Sequence, residues 1–303
     1  MNDKLRLAQA EAVGAEARRR SRRKRRRRRL LLLFLVLLLL ETQLEMHVTR
    51  RETLTLESER LAAGTELRIV QISDYHEFSC GHSRRRILRW VGESGADLVA
   101  VTGDVLNRKS RDFAALEALF EGLAETSIPC FYVSGNHDEE HRDGDGNEVG
   151  EKLRALLART GVRVLDNRSV ILETGAGPVR LAGTRDAYTD HADLEAALAE
   201  TAEATASFTL LLTHAPDIIP ELERQSGVDL ALCGHTHGGQ FRLPLVGALF
   251  TPGQGWLPHW DRGLFTLANG TRLYIDSGVG WSVLPLRLGT PSQITVVTVQ
   301  GTG

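Results

Sequence analysis

Two histidines, His235 and His237, are separated by a single residue in a glycine-rich stretch. The stretch begins at Cys233 and reads Cys-Gly-His-Thr-His-Gly-Gly-Gln. The apolar run at residues 228–232 precedes them and predicts a buried strand. In extended backbone, side chains two residues apart point the same way, and neutral imidazole is the commonest metal-binding side chain. By itself the pair is compatible with a metal site or with a solvated loop.

Side chains that bind metals also follow other predicted strands, in each case where the strand ends. They are Asp74 and His76, Asp104, Asn136 with His137, and His214. Any one of them could be a capping acid or a satisfied surface histidine. Together they predict one site, because ligands of parallel α/β sheets lie beyond the carboxyl ends of the strands. Carboxylate, imidazole and amide oxygen suit two first-row divalent ions, and such ions about 3.5–4 Å apart promote phosphoryl displacement.

The elements that must position these residues alternate between strand and helix. Apolar runs and amphipathic stretches succeed each other at residues 67–73, 84–93, 97–102, 111–125 and 130–133. This order predicts a parallel sheet with helices packed on it. Three short apolar runs follow at 162–165, 170–173 and 179–182. Their spacing is typical of hairpins and predicts antiparallel pairing in a second sheet.

The charge of the chain is divided unevenly. Residues 1–29 hold 13 basic and 3 acidic side chains, a net charge of +10. Because the formal net charge of the whole chain is −2, the remaining residues carry a net charge of −12. An acidic main domain argues against nucleic acid as a partner, and no obligate protein partner is indicated. A phosphate substrate would need the positive charge of bound metal. The three cysteines show no paired spacing, so we predict no disulfide framework, with Cys80 and Cys233 structural.

The N-terminal segment combines a basic run with an apolar one. Eleven of the twelve residues at 18–29 are Arg or Lys, and residues 30–40 are wholly apolar. This order is typical of a signal peptide or a signal anchor. No small-x-small cleavage motif follows, which favours an uncleaved membrane anchor at 1–46, ahead of a single domain at 47–303 whose leading edge strand lies within 47–64.

The length of the apolar run leaves its membrane topology open. As a helix it measures about 16 Å, against about 30 Å of bilayer hydrocarbon, so spanning would need flanking residues. If the segment spans, the arginines stay cytoplasmic and the domain lies on the extracytoplasmic side. The alternative is a basic tail held on anionic lipid.

The strand-end motifs resemble those of the calcineurin-like metallophosphoesterases. The matching sequences, in order over residues 67–240, are Asp74-x-His76, Gly103-Asp104, Gly135-Asn136-His137-Asp138, His214 and Gly234-His235-x-His237. Residues 234–240 and 273–280 are similar to a branch that contains membrane-associated bacterial phosphodiesterases, similar to the enzyme that hydrolyses UDP-2,3-diacylglucosamine. The resemblance implies an α/β fold, a four-layer α/β/β/α sandwich with two mixed sheets, here preceded by an N-terminal hydrophobic helix.

The resemblance also implies a role for each motif residue. One divalent ion (Mn, Fe, Zn or similar) would be held by Asp74, His76 and His237. A second would be held by Asn136, His214 and His235, and Asp104 would bridge the two. His137 would face the substrate and stabilise or protonate the leaving oxygen, and Asp138 would orient His137. The implied reaction is hydrolysis of a phosphoester or pyrophosphate bond by water that the two ions activate.

Two positions depart from the usual pattern of the family. A second acid commonly follows the bridging aspartate by three residues, and here that position is Asn107, which can still hydrogen-bond beside the metals. Glu77 follows the first motif and is either an extra ligand or a solvent-facing acid; we favour solvent. Glu139 and Glu140 follow the asparagine motif and would repel a phosphoprotein dianion. A metal-free scaffold on the same fold is a further alternative, and the complete set of ligands argues against it.

The stretch after the second histidine pair bears on the type of substrate. Residues 241–250 are mostly apolar and show no regular period. Because they leave the predicted metal site directly, they should form either its mouth or core beneath a long loop. The other candidates for the same rim are Trp256, Leu257, Trp260, Trp281, Leu284 and Leu286. An exposed apolar rim would accept the acyl chains of a lipid-bearing phosphoester, whereas the alternative substrate is a small soluble ester.

Overall fold

The computed structural model describes residues 3–78, 81–109, 113–141, 148–202, 205–225, 227–281 and 285–303. The chain divides into two compact units, Met1–Leu44 and Glu45–Gly303. The smaller unit consists of helix α1 (Asp3–His47) up to Leu44. Within α1, the stretch Arg18–His47 has 30 residues and is long and apolar enough to cross a membrane or to act as a signal sequence.

The larger unit contains two six-stranded sheets, their covering helices and two short hairpins. The strands are β1 (Arg50–Ser58), β2 (Glu66–Ile72), β3 (Leu98–Thr102), β4 (Cys130–Val133), β5 (Arg163–Val164), β6 (Arg168–Thr174), β7 (Gly177–Gly183), β8 (Phe208–Leu212), β9 (Leu230–Cys233), β10 (Arg242–Leu243), β11 (Gly247–Ala248), β12 (Phe250–Thr251), β13 (Gly255–Trp256), β14 (Gly263–Thr266), β15 (Arg272–Ile275) and β16 (Gln293–Gly301). The helices after α1 are α2 (Gly81–Glu93), α3 (Phe113–Glu125), α4 (Asn136–Glu139), α5 (Glu148–Arg159), α6 (Leu194–Ala199) and α7 (Ile219–Arg224).

The first sheet has the strand order β1-β16-β2-β3-β4-β5. Strands β2 to β5 run parallel, as the alternation of strands and helices predicts, and β1 lies at the edge, parallel to β16. The run at residues 162–165 was predicted to pair in a hairpin, and this prediction is wrong. Helix α5 separates β5 from β4, and a helical crossover returns the chain parallel to the strand before it.

The second sheet has the strand order β14-β15-β9-β8-β7-β6. Strands β6 and β7 form the predicted antiparallel hairpin, joined by two residues. Strands β7, β8, β9 and β15 are parallel, and β14 pairs antiparallel at the far edge. The strands β8 and β9 are buried along their whole length, which fits their unbroken apolar sequences.

Alternation along the strands builds three apolar cores. Ile69 and Phe131 of the first sheet face Leu210 of the second in the core between the sheets. Side chains on the opposite face of the first sheet, such as Val70, pack against α2, α3 and α5. The outer face of the second sheet packs against α6 and α7, with Leu211 in that core. The predicted four-layer sandwich with two mixed sheets is therefore confirmed.

Candidate metal centre

The predicted ligands come together where five strands end. Strand β2 leads to Asp74 and His76, β3 to Asp104, β4 to Asn136, β8 to His214, and β9 to His235 and His237. Five of these residues have left-handed backbone, with φ of 50° at Asp74, 46° at His76, 50° at Asp104, 69° at His235 and 50° at His237. Such conformations are sparse for residues other than glycine. Their concentration here is typical of a functional site, where the surrounding structure holds strained backbone in place.

The first ligand group consists of Asp74, His76 and His237, whose ligand atoms all lie within 4.8 Å of one another. Nε2 of His76 is 3.2 Å from Nε2 of His237, which is 3.5 Å from Oδ1 of Asp74. Nδ1 of His76 donates to the carbonyl of Leu106 at 2.9 Å. Because a carbonyl only accepts, the neutral ring of His76 keeps its lone pair on Nε2, which faces the other ligands.

The second ligand group consists of Asp104, His214 and His235. Nε2 of His214 lies 3.4 Å from Oδ2 of Asp104 and 3.2 Å from Nδ1 of His235. Nδ1 of His214 donates to the carbonyl of Thr102 at 2.9 Å, which again turns Nε2 toward the centre. The two imidazole nitrogens and the carboxylate thus converge on one point, as ligands of a cation do.

Asp104 lies between the two groups, and Asn136 adds a further oxygen. Oδ2 of Asp104 is 3.7 Å from Nε2 of His76 as well as 3.4 Å from Nε2 of His214. Asn136 is buried, and its Oδ1 has no hydrogen-bond partner in the part of the chain that the structure describes. A buried amide oxygen without a partner is costly, and a divalent ion would satisfy it. The donor set therefore fits two divalent ions, as predicted, whose identity the ligands leave open.

Burial controls the charge of most histidines in the centre. It lowers the pKa of His76 to about 4 and that of His235 to about 3, and it holds the pKa of His237 well below the usual range. Positive neighbours act in the same direction, since His214 lowers the pKa of His235 and Arg287 lowers that of His237. These three rings are therefore neutral at pH 7, the form in which imidazole binds metal.

Asp104 and His214 form a charged pair. Burial acts to raise the pKa of Asp104, but the charge of His214 and its hydrogen bond to Asp104 outweigh burial and lower that pKa below its usual value. Burial acts to lower the pKa of His214, and Asp104 raises it well above the usual value. Burial raises the pKa of Asp74 to about 6. Without metal, protons thus occupy part of the centre.

His137 lies beside the two ligand groups. Its amide N–H donates to Oδ1 of Asp104 at 2.9 Å, and its ring contributes to the wall of the cavity above the ligands. The carboxylate of Asp138 accepts hydrogen bonds from the backbone N–H groups of Leu106 at 2.9 Å and Gly135 at 3.0 Å. Burial raises the pKa of Asp138 to about 7, and the charge of Asp104 adds to this rise. These contacts join the turns after β3 and β4.

A second acid, which the sequence analysis connected only with repulsion of a phosphoprotein dianion, lies next to the same histidine. A carboxylate oxygen of Glu140 is 3.6 Å from Nδ1 of His137, and Glu140 also pairs with Arg108 at 3.5 Å. The orienting role of Asp138 stays a prediction, and Glu140 is an additional candidate for it. Its position directly after the asparagine motif was the available signal.

The structure corrects the interpretation of two other acids near the motifs. Glu77 was expected to face solvent, and this is wrong: it is buried, and Asn107 donates to its carboxylate at 3.3 Å. The same amide of Asn107 donates to the carbonyl of His76 at 2.8 Å, so Asn107 does hydrogen-bond beside the metals as expected. Glu139 forms an ion pair of 2.5 Å with Arg185 and Glu140 lies 3.5 Å from Arg108, so an arginine offsets part of the charge of each acid that was expected to repel a dianion.

Of the three cysteines, the structure describes two, and both are free and buried. Burial raises the pKa of Cys130 to about 12 and that of Cys233 well above its usual value. Thiols in this state are unreactive, which agrees with a structural role for Cys233. Cys80 lies outside the described residues.

Four of the candidate ligands, Asp104, Asn136, His235 and His237, line a cavity of about 720 Å³. Its upper wall is mostly apolar and is built by Tyr188, Phe241, Leu249, Phe250, Pro252 and Trp256. The ring of Tyr188 lies 4.8 Å from that of His235, a contact that no sequence motif indicated. Phe250, Pro252 and Trp256 belong to the hairpin β12–β13, and Phe241 and Leu249 flank the hairpin β10–β11, so both ends of the stretch predicted to form the mouth line the cavity.

The other rim candidates have different surroundings. Trp256 is 78% exposed and packs edge-on against Phe250. Trp260 is partly buried and packs against Phe265 beside the outer core of the second sheet. Trp281 packs against Phe78 in the core beneath the first sheet, and Leu284 lies outside the described residues. The rim prediction therefore holds for Trp256 and is wrong for Trp260 and Trp281.

Comparison with known proteins gives the class to which this fold and centre belong. The family described as calcineurin-like phosphoesterase matches residues 67–239, and the chain belongs to that family. A metallophosphoesterase of Aquifex aeolicus (strain VF5), itself uncharacterized, is 31% identical over 272 residues, which cover 86% of this chain and 96% of that protein.

Two further similarities concern a named enzyme and a solved structure. The phosphodiesterase YaeI of Escherichia coli (strain K12) is 34% identical over 206 residues, covering 68% of this chain and 71% of that protein. The crystal structure of a 5'-nucleotidase precursor from Thermus thermophilus aligns with a TM-score of 0.48 and 14% identity, over 78% of this chain and 55% of that one. The predicted family, and with it a metallophosphoesterase activity, is confirmed by the family match and the sequence relatives.

Proposed function

We propose that the protein is a metal-dependent phosphodiesterase or pyrophosphohydrolase whose substrate carries lipid chains, such as UDP-2,3-diacylglucosamine. The observation that carries the hydrolytic part is the position of Asp104, within 3.7 Å of His76 in one ligand group and 3.4 Å of His214 in the other. The similarity to a protein named as a phosphodiesterase supports a diester substrate.

Different residues of the centre would bind the metal ions and donate a proton. Asp74, His76 and His237 would hold one divalent ion, Asn136, His214 and His235 the other, and Asp104 would bridge them. Bound there, the ions supply an activated water and offset charge on the phosphoryl oxygens. His137, on the cavity wall, would give a proton to the leaving oxygen.

The apolar rim supports the lipid part of the proposal. Phe250 and Trp256, 48% and 78% exposed, line both the cavity and the outer surface. The adjacent hairpin exposes Leu245 at 108% and Val246 at 56%. An exposed apolar surface beside a cavity is typical of a binding site, and acyl chains would pack there while the phosphate reaches the ligands.

We also propose that Arg18–His47 attaches the protein to a membrane. Its length and composition are sufficient to span one, and arginines precede its apolar part as they do in an anchor. Attachment would keep the enzyme where lipid-bearing phosphoesters are found.

A first experiment tests hydrolysis and its metal dependence. Purified protein should bind about two divalent ions by elemental analysis, hydrolyse bis-p-nitrophenyl phosphate with added manganese, and lose activity on chelation. Asp104→Asn should abolish turnover while circular dichroism stays unchanged. Full activity in protein free of metal would contradict the proposal, and a folded protein with no turnover would favour the scaffold alternative.

A second experiment tests the lipid substrate. Trp256→Ala should reduce turnover of a diacylated nucleotide-sugar substrate while changing turnover of bis-p-nitrophenyl phosphate little. Trp260→Ala is the matched control, because this partly buried ring should affect stability and both substrates alike. Equal losses on both substrates in Trp256→Ala, with a lowered melting temperature, would favour the small soluble ester.

A further inference from the structure

Arg287 is a fully buried arginine whose guanidinium lies against one of the candidate metal ligands. Its Nη2 is 3.4 Å from Nδ1 of His237. The same nitrogen donates to the carbonyls of Ser277 at 2.8 Å and Gly278 at 3.1 Å, and Nη1 donates to the carbonyl of Thr290 at 3.2 Å. The side chain therefore joins two loops to each other and lies beside the ring of His237.

The charge of this arginine is held largely by carbonyl oxygens. Burial lowers the pKa of Arg287 to about 10, against the opposing charges of Asp74, Asp276 and Glu45, so the group is charged at neutral pH. Taking a charge out of water costs several kcal/mol. An aliphatic side chain would fill the same space without that cost. We therefore expect the contacts that the guanidinium makes to have a function.

Thr290 extends the same network to the backbone of the ligand and to the beginning of the larger unit. Its hydroxyl donates to the carbonyl of His237 at 3.0 Å, and its amide donates to the carboxylate of Glu45 at 3.3 Å. Glu45 is 5% exposed, and its carbonyl accepts the amide of Ser292 at 2.7 Å. Glu45, Thr290 and Arg287 therefore form one buried set of contacts around His237.

The backbone at the ligand needs such support. His237 has φ of 50° and Gly238 has φ of 60°, two successive residues in the left-handed region. A Cβ at Gly238 would overlap the hydroxyl oxygens of Thr290 and Ser277, so the network packs directly against this turn. The hydrogen bond from Thr290 to the carbonyl of His237 holds the turn in place. The guanidinium of Arg287 lies beside the imidazole ring of His237.

We propose that Arg287, Thr290 and Glu45 are positioning residues that hold Nε2 of His237 toward Asp74 and His76, and thereby set the affinity of that group for its divalent ion. The inference rests on the proposed function in requiring that the group binds metal. Partners of metal-binding histidines that fix the ring typically change metal affinity by about 10–100-fold when they are replaced.

The test measures manganese binding to the full chain. Binding is determined by titration with electron paramagnetic resonance detection and by elemental analysis. Thr290→Val keeps the shape of the side chain and removes the hydroxyl, Glu45→Gln removes a charge, and Arg287→Lys keeps a charge and removes the planar fork. In each variant one ion should bind as in the unaltered protein and the other about 10–100-fold more weakly. The signal of a coupled manganese pair should then give way to that of an isolated ion.

Two control variants should bind both ions as the unaltered protein does. Arg180→Met removes a half-buried arginine in β7 that donates to the carbonyl of Thr201, away from the centre. Glu41→Gln removes an exposed acid that precedes Glu45 by one helical turn.

The outcomes separate this inference from the function on which it rests. If the unaltered chain binds no divalent ion, the proposed function fails together with the inference. If it binds two ions, and folded Thr290→Val and Glu45→Gln bind them equally tightly, only the positioning role is overturned. Equal weakening of both ions would also overturn it, because the network contacts one ligand group. If Arg287→Lys does not fold, the other two variants decide.

Discussion

The amide N–H of His137 donates a 2.9 Å hydrogen bond to Oδ1 of Asp104, and Nε2 of the same histidine lies 4.0 Å from Oδ2 of that carboxylate. The residue is thus fixed through its backbone to the acid that both ligand groups contact. Its ring remains 12% exposed on the cavity wall. This arrangement places an imidazole beside the two ligand groups and outside both of them.

Replacing His137 should separate metal binding from chemistry. His137→Ala keeps the backbone bond to Asp104 and removes the ring, so both ions should remain while turnover falls by roughly 10²–10⁴-fold, the usual loss for an acid–base group. Elemental analysis and steady-state kinetics on the same preparation measure the two effects. His235→Ala serves as the comparison and should lose metal; similar metal loss in both variants would refute the role given to His137.

A single methyl group at Gly135 should disturb the bridging position. A Cβ there would overlap Oδ1 and the amide nitrogen of Asp104, whereas a Cβ at Gly175, in the β6–β7 turn, would meet nothing within 4 Å. We expect Gly135→Ala to lose about 10²-fold in turnover, because small displacements of catalytic groups have effects of this size. Gly175→Ala should match the unaltered protein. Kinetics on both variants check this, and normal activity in Gly135→Ala would contradict the geometry.

Metal affinity should increase with pH through about pH 6. Burial raises the pKa of Asp74 to about 6. Burial acts to lower the pKa of His214, but the charge of Asp104 outweighs burial and raises that pKa above its usual value. Below these pKa values both side chains carry protons that must leave before a cation binds. From Asp74 alone, affinity at pH 5 should be about tenfold weaker than at pH 7.5. Manganese titrations at the two pH values measure the difference, and equal affinities would rule it out.

Truncation of the N-terminal segment should depend on where the cut falls. Removing residues 1–44 should release the protein from membranes and preserve turnover of a soluble ester. Removing residues 1–46 also deletes Glu45 and Met46, which are 5% and 4% exposed, and with them the bonds of Glu45 to Thr290 and Ser292. At about 1 kcal/mol per hydrogen bond and about 2–4 °C per kcal/mol, the shorter protein should melt several degrees lower.

Membrane fractionation and thermal melting of the two truncated proteins test these expectations. If the protein lacking residues 1–44 stays with the membrane, the attachment lies elsewhere in the chain. Equal melting temperatures would show that Glu45 and Met46 contribute little to the larger unit.

The sequence predicted that the candidate ligands would lie together because their placement follows from a simple rule. Asp74, Asp104 and His214 come after apolar runs, and in each sheet the parallel strands bring such positions to the edge formed by their carboxyl ends. The helices packed on the first sheet follow from the same alternation, whereas the four layers were implied by the resemblance to the family. The ligand positions and these helices depend on local periodicity, which a single sequence records.

The parts that the sequence did not predict depend on contacts between distant segments. Arg287 and Glu45 are separated along the chain by most of the larger unit, and no spacing or composition indicates that both reach Thr290. The inward position of Glu77 depends on a hydrogen bond from Asn107, thirty residues later. The pairing of β5 with β4 required knowing that α5 crosses over between them.

The candidate ligands come from both sheets, and this has a mechanical consequence. Asp74, His76 and Asp104 follow strands of the first sheet, while His214 and His237 follow strands of the second. A cation held by either ligand group is therefore a non-covalent cross-link between the two halves of the sandwich. Because binding to the folded state alone adds about 2.7 kcal/mol at a hundredfold excess over Kd, heat resistance should report ion occupancy in the absence of any substrate.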